Sequence, residues 1–406
     1  MAISLNTKTT KHQIITFLIE SLLVINLFFA LFPAWRLSPL WNYMGEDGYF
    51  SVWMNLLDKA NICLFTTILL YQVKIESKIV FFLISFLAIS MTISIMANNF
   101  DSGFITLIFF PLEYLVLFTI VSNYSINRKL MKIIIVIMTI WAIAPIYLLA
   151  FGSLQDQIAL VTGVDGKLST FGGFAYHRNF YGFYTGLTII LLIITPFPKV
   201  FKVLSITLCA VGIILSGSRS SLVCVLASLI VLLFLFNKKK FISILPFLIG
   251  FGSLALFIFS YFGIRQKGLE DNDDRFEIIT GFWGIIRESP LWGNGKYMLY
   301  YSQHYPEGAP AHNFIFQVWG DYGIFALLGF VLLLLIAYFK GNKLFKTLFF
   351  YLLTFGLTQP YFYLSMPQAF MVIIFIIGSC YSIMYNRQNL DTYDMLVSLK
   401  QKDKVY

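Results

Sequence analysis

Ala311-His312-Asn313 ends the longest polar stretch of the chain and opens an apolar run. An imidazole titrates near neutral pH and can take a proton from a hydroxyl as that hydroxyl attacks, so His312 is a candidate general base. Three arginines stand at comparable loop and helix junctions: Arg178 in Tyr176-His177-Arg178-Asn179, Arg219 in Ser216-Gly217-Ser218-Arg219-Ser220-Ser221, and Arg275. A guanidinium grips phosphate oxygens with a planar fork and keeps its charge. Around Arg219, the Ser218 and Ser220 hydroxyls and nearby backbone amides can add donors. A proton acceptor beside fixed cations suits chemistry on a phosphate-bearing substrate presented at a membrane. Each residue also has a plainer reading: a helix-capping or interfacial histidine, and arginines that snorkel to lipid phosphates or pair with an acid. His177 and His304 are lesser candidates, and His12 falls on the opposite side of the membrane.

Metal and cofactor chemistry have no comparable signature. The chain has no H-E-x-x-H pair and no Gly-rich phosphate loop. Asp271, Asp273 and Asp274 read more simply as the capping and first-turn acids of a helix than as cation ligands. Cys63, Cys209, Cys224 and Cys380 all sit in apolar runs and read as core filler.

The elements that must position these residues are membrane helices. A composition of 58% hydrophobic and 12% charged residues, with mean hydropathy +0.78 over 406 residues, excludes a soluble chain. A span needs about 20 mostly apolar residues. Twelve segments qualify, at roughly 13–34, 52–73, 79–98, 103–123, 130–151, 181–198, 200–216, 220–236, 241–263, 313–339, 344–359 and 366–385. Lys8 and Lys11 precede the first run and no small-residue cleavage site follows it, so it reads as a retained helix. With the N-terminus in the cytoplasm, 19 of the 29 Lys and Arg fall on that side, 9 on the other and Lys59 within a span. The positive-inside rule then puts both termini in the cytoplasm. The net charge of +9 is therefore a topology signal, and nucleic acid is not implied as a partner.

This threading predicts an all-α polytopic membrane protein of about 12 transmembrane helices with one long extracytoplasmic loop containing short helices. The expected units are N-terminal helices over 1–151, central helices and a first outer segment over 152–263, the long loop over 264–312, C-terminal helices over 313–385 and a cytoplasmic tail over 386–406. The loop is rich in aromatic residues, which argues against disorder. Residues 275–286 have apolar positions at helical spacing, which predicts a short helix at the membrane surface; 290–295 then reads as a turn. Glu113, the pair Asp58-Lys59 and Asp321 are charges within expected spans and need a partner or water. Glu113 is a candidate partner for one of the arginines, or in a transporter would mark a proton path.

The ordered set of motifs is familiar: Gly217-Ser218-Arg219-Ser220-Ser221-Leu222, Arg275 with Trp283 eight residues on, Glu288-Ser289-Pro290-Leu291-Trp292-Gly293-Asn294-Gly295, Ala311-His312-Asn313-Phe314 and Gly320-Asp321-Tyr322-Gly323-Ile324. Together, over about 170–330, they resemble the O-antigen ligase and polymerase superfamily. The resemblance implies a glycosyltransferase of the bacterial inner membrane that works on the periplasmic face. Such an enzyme takes a glycan from undecaprenyl diphosphate and joins it to an acceptor sugar without metal or cofactor. It implies diphosphate-binding roles for Arg219 and Arg275, less directly for Arg178, and the catalytic histidine role for His312. Asn313, Ser218, Ser220 and Glu113 are supporting candidates.

Within that superfamily the acceptor decides the activity. A polymerase uses a second lipid-linked repeat unit, and by resemblance would have a chain-length regulator as partner; a ligase uses lipid A-core. The modest outer segments of this chain, without an appended soluble domain, favour the polymerase. A flippase or secondary transporter is the alternative from another class, but transporters commonly have two related halves, and the chain has no such repeat. Its polar mass is gathered in one late loop.

Overall fold

The computed structural model describes residues 128–152, 171–175, 178–236, 271–295, 298–303, 305–306, 308–340 and 343–358, with isolated helical positions among 17–24, 85–96 and 242–246. The described residues form α1 (Arg128–Phe151), a 3-10 turn (Gly173–Ala175), α2 (Arg178–Ile194), α3 (Lys199–Ser216), α4 (Arg219–Phe236), α5 (Asp271–Glu288), α6 (Phe314–Lys340) and α7 (Lys343–Thr358). Among the described residues the secondary structure is helical apart from one isolated antiparallel bridge between Tyr300 and Ala309. The fifth to eighth and the eleventh expected spans thus correspond to α1, α2, α3, α4 and α7, with bounds shifted by at most four residues. Of the third, part of 79–98 is helical; the spans at 52–73, 103–123 and 366–385, and Glu113, Asp58 and Lys59, lie outside the described residues.

By length and composition three described helices are long and apolar enough to cross a membrane, Leu130–Phe151, Lys199–Ser216 and Phe314–Leu332, the last of them broken at Gly323, and three shorter ones are apolar along their length. α3 buries a single stripe, Ser205, Cys209, Gly212, Ile213 and Ser216. Its opposite face leaves Val200, Val203 and Leu204 exposed, Val200 at 81%. Lipid accommodates such a face and water does not.

α2 is the axis of the bundle, with every residue from Phe180 to Leu192 buried, as an all-round apolar helix requires. Gly182 and Gly186 let its neighbours close in. A methyl group on Gly182 would stand 2.5 Å from Ser221 Oγ of α4 and 2.7 Å from Cβ of Ser218 just before it, and one on Gly186 would collide with the Tyr351 hydroxyl of α7. This small-x-x-x-small spacing brings backbones together where helices cannot associate by excluding water. On another side, Trp141 of α1 packs against Tyr181 and Tyr184, with ring centroids 5.6 and 5.7 Å away. Pro145 removes one donor from α1. The Tyr181 hydroxyl donates to the nearby Ala142 carbonyl.

The expected tenth span is not one straight helix. α6 breaks at Gly323 (φ 79, ψ 179), and the Phe314 and Phe330 rings lie 5.8 Å apart. Sixteen residues of straight helix would separate their Cα atoms by about 24 Å, so the two legs fold sharply towards each other. The break is built by the turn at 290–295. Freed carbonyls find donors there: Gly320 C=O accepts from Asn294 N at 2.9 Å, and Asp321 C=O from Gly295 N at 2.7 Å. Ile324 N, which opens the second leg, donates to Pro290 C=O at 3.1 Å. The Trp319 indole donates to the same oxygen at 2.9 Å. Ser94 Oγ donates to Trp292 C=O and to Asp321 C=O. Each orphan of the break named here is thereby satisfied, as buried backbone demands.

Backbone meets backbone at this joint. A Cβ on Gly293 would lie 2.5 Å from the Gly323 and Tyr322 nitrogens, and one on Gly323 would overlap the Leu291 carbonyl. Gly323→Ala combines that overlap with a left-handed φ. It is expected to cost about 2–4 kcal/mol, seen as a lower thermal midpoint of the detergent-solubilised protein. An unchanged midpoint would mean that the break is not fixed by this contact.

The long loop supplies α5, which starts at Asp271, so the acids at 271–274 lie within its first turn instead of preceding it. Ile278 and Phe282 of α5 bury against Ala309 and Ala311, with Phe316 and Met298 packed around them. This small second core seats α5 and the end of the loop on the first leg of α6.

Candidate functional site

Arg219 is the first residue of α4, two residues beyond the end of α3. Gly217 caps α3 in the left-handed conformation (φ 62, ψ 17) and donates its N–H to Ile214 C=O, the ordinary glycine stop. α4 starts at once. Ser218 is buried and its hydroxyl lies 2.8 Å from Ser221 Oγ, 3.4 Å from Ser220 Oγ and 3.3 Å from Asn179 Oδ1, to which it donates. Asn179 is the second residue of α2 and follows Arg178. Two helices therefore begin side by side, each opening on a half-buried arginine. Their first-turn N–H groups and aligned dipoles make that end attractive to anions.

α7 runs against these two in the opposite sense. Its Tyr351 hydroxyl donates to Phe183 C=O at 2.7 Å, and Phe355 lies 4.5 Å from the Phe183 ring. Its last turn thus reaches the end where α2 and α4 begin. There Leu357 C=O accepts from Asn313 Nδ2 at 3.3 Å. The starts of α2, α4 and α6 and the end of α7 consequently share one end of the bundle, which gathers Arg178, Arg219, His312 and Asn313.

Asn313, not His312, caps α6. Asn313 Oδ1 accepts from Ile315 N at 2.9 Å, and its carbonyl accepts the first helical bond, from Gln317 N at 3.0 Å. His312 is half-buried and is the one non-glycine residue at positive φ (50) among the described residues. Such backbone is sparsely populated and persists only where its surroundings enforce it. Arg275 lies on α5 at its second turn, just before the Ile278 and Phe282 contacts that join α5 to the Ala311 segment. His177 and His304 lie outside the described residues, as does Glu113.

Asp321, expected as a costly charge inside a span, has its partners in view. It is fully buried and accepts from Met298 N at 2.9 Å and from Gln317 Nε2 at 3.2 Å on both oxygens. Sequence reasoning missed Gln317 and Asn179. A lone amide five residues into an apolar run after a histidine is the only trace Gln317 leaves in the sequence, and Asn179 shows only as the neighbour of Arg178. Among the described residues no three His, Cys, Asp or Glu side chains stand together.

Apolar helices with lipid-compatible outer faces and a polar end built from helix starts define a polytopic membrane protein. Residues 204–331 match the family model described as O-antigen ligase, which bears out the resemblance to the O-antigen ligase and polymerase superfamily. The matched segment runs from α3 to the second leg of α6 and so includes Arg219, Arg275 and His312. No curated protein matches the chain, and no solved structure does.

Proposed function

We propose that this protein is a membrane glycosyltransferase of surface polysaccharide synthesis, an O-antigen polymerase that joins undecaprenyl-diphosphate-linked repeat units on the periplasmic face of the inner membrane. The observation that carries the reading is the shared end of α2, α4 and α6, where Arg178, Arg219 and His312 stand within and beside the segment that matches the O-antigen ligase family. Arg219 and Arg178, at helix starts, bind the diphosphate of the donor with the Ser218 and Ser220 hydroxyls and first-turn amides; the resemblance gives Arg275, on α5, the same role.

The reaction is a displacement. The acceptor hydroxyl oxygen bonds to the anomeric carbon of the donor sugar while His312 takes the hydroxyl proton. The bond from that carbon to the phosphate oxygen breaks, and undecaprenyl diphosphate leaves with the electron pair. Arginines already in place neutralise the charge that develops on it. The partners are the lipid-linked oligosaccharide, a second lipid-linked unit as acceptor, the surrounding lipid and, for a polymerase, a chain-length regulator. No cofactor takes part.

The ligase reading uses the same residues with lipid A-core as acceptor, and the description of the matching family favours it as the second reading. Glycan profiling of a strain lacking this gene separates the two. Lipid A-core with a single repeat unit is the expected profile. Bare core with long undecaprenyl-linked chains would make the protein the ligase, and an unchanged profile would overturn both and return the transporter reading.

A further inference from the structure

The loop returns to α6 as a short hairpin. Tyr300 and Ala309 exchange backbone hydrogen bonds at 2.8 Å in both directions, and Met298 and Ala311 are the next facing pair. At that pair the backbone ladder stops and a side chain takes it over. Gln317, fully buried on the first leg of α6, accepts from Ala311 N at 2.9 Å through Oε1 and donates from Nε2 to Met298 C=O at 3.0 Å. The carboxamide thus stands in for a peptide group between the strands. Nε2 also donates to both Asp321 oxygens, while Asp321 Oδ1 accepts from Met298 N. These contacts leave one orientation for the amide, since the flipped group would set an oxygen against a carbonyl and a carboxylate.

We infer that Gln317, braced by Asp321 one turn on, is a positioning residue for His312. By holding Ala311 it fixes the left-handed backbone that aims the imidazole. This rests on the proposed role of His312 as the base. Loss of the Ala311 anchor removes one restraint that holds His312 at φ 50 against the ordinary region. The imidazole then turns from the attacking hydroxyl, while the diphosphate site at the starts of α2 and α4 is left intact. The cost falls on the chemical step and not on donor binding.

The test is kcat and KM of the purified full-length protein in lipid nanodiscs, with undecaprenyl-diphosphate-linked oligosaccharide as donor. Gln317→Ala is expected to lower kcat roughly 10- to 100-fold, the scale of a small misplacement of a reacting group, with donor KM within about twofold of wild type. Asp321→Asn keeps an acceptor for Met298 N and should retain most of the activity, whereas Asp321→Ala should fall as Gln317→Ala does. If Gln317→Ala fails to fold, Gln317→Glu carries the same test, because it turns Nε2 into an oxygen facing Asp321.

A wild-type kcat in the Gln317 variants would overturn the inference, as would a rise in KM that accounts for the whole loss. Asp321→Asn as damaging as Asp321→Ala would also overturn it, since charge and not hydrogen bonding would then be essential. His312→Ala in the same assay separates the two levels. If His312→Ala is active, the base assignment fails; if it is inactive while the Gln317 variants are normal, only the positioning role fails.

Discussion

His312→Ala is expected to abolish glycan growth while the protein still accumulates in the membrane. The side chain is half-buried just before α6, and the bonds that Asn313 accepts from Ile315 N and Gln317 N to start that helix remain in the variant. Catalysis loses its proton acceptor, an effect of roughly 10²- to 10⁴-fold for a positioned base. Lipopolysaccharide profiling with protein quantified by immunoblot checks both halves. Normal chain growth from the variant would leave the base role without support, and loss of the protein itself would make His312 structural.

The second large effect is at Arg219. Arg219→Lys keeps the charge at the start of α4 but loses the planar fork, and should slow transfer roughly 10- to 100-fold, the range for a charge-assisted hydrogen bond. Arg219→Ala should lose more, on the order of 10²- to 10³-fold, as when a donor to a developing anion is removed. α4 should form in both, because its first turn is anchored by Ser218 against Asn179 and by Ser221 against Ser218. Single-turnover release of undecaprenyl diphosphate by purified variants reads this out. A Lys variant as fast as wild type would show that only net charge matters there and would remove the bidentate diphosphate contact.

Legibility in the sequence followed the physics of each element. Helices that bury or expose apolar faces along their whole length show in hydropathy, and α1, α3, α4 and α7 start and end within a residue or two of the expected limits. The break in α6 does not show, because Gly323 sits inside one span-length hydrophobic segment and the turn that caps its orphans lies some thirty residues earlier. The motifs at 290–295 and 320–324 are separate words in the sequence and two halves of one joint in the fold.

Around the site, the types were legible and the arrangement was not. Arginine among hydroxyl residues marked the start of α4, but only the fold brings Asn179 to Ser218 and puts the start of α2 beside it. His312 was singled out by its place at a loop and helix junction, yet its left-handed backbone depends on residues whose pairing no local pattern encodes. Asp321 was read as a charge in need of a partner. Its partners include the Met298 amide, twenty-three residues away, and Gln317 one turn before it.

The most direct measurement of the central claim uses the purified protein in lipid nanodiscs with a single lipid-linked repeat unit as both donor and acceptor, and a metal chelator present throughout. The account predicts growth of the lipid-linked glycan with one undecaprenyl diphosphate released for each bond formed, at the same rate with and without chelator, and neither product from His312→Ala. Growth that needs a divalent metal, equal growth by His312→Ala, or no release of undecaprenyl diphosphate by the wild-type protein would contradict it.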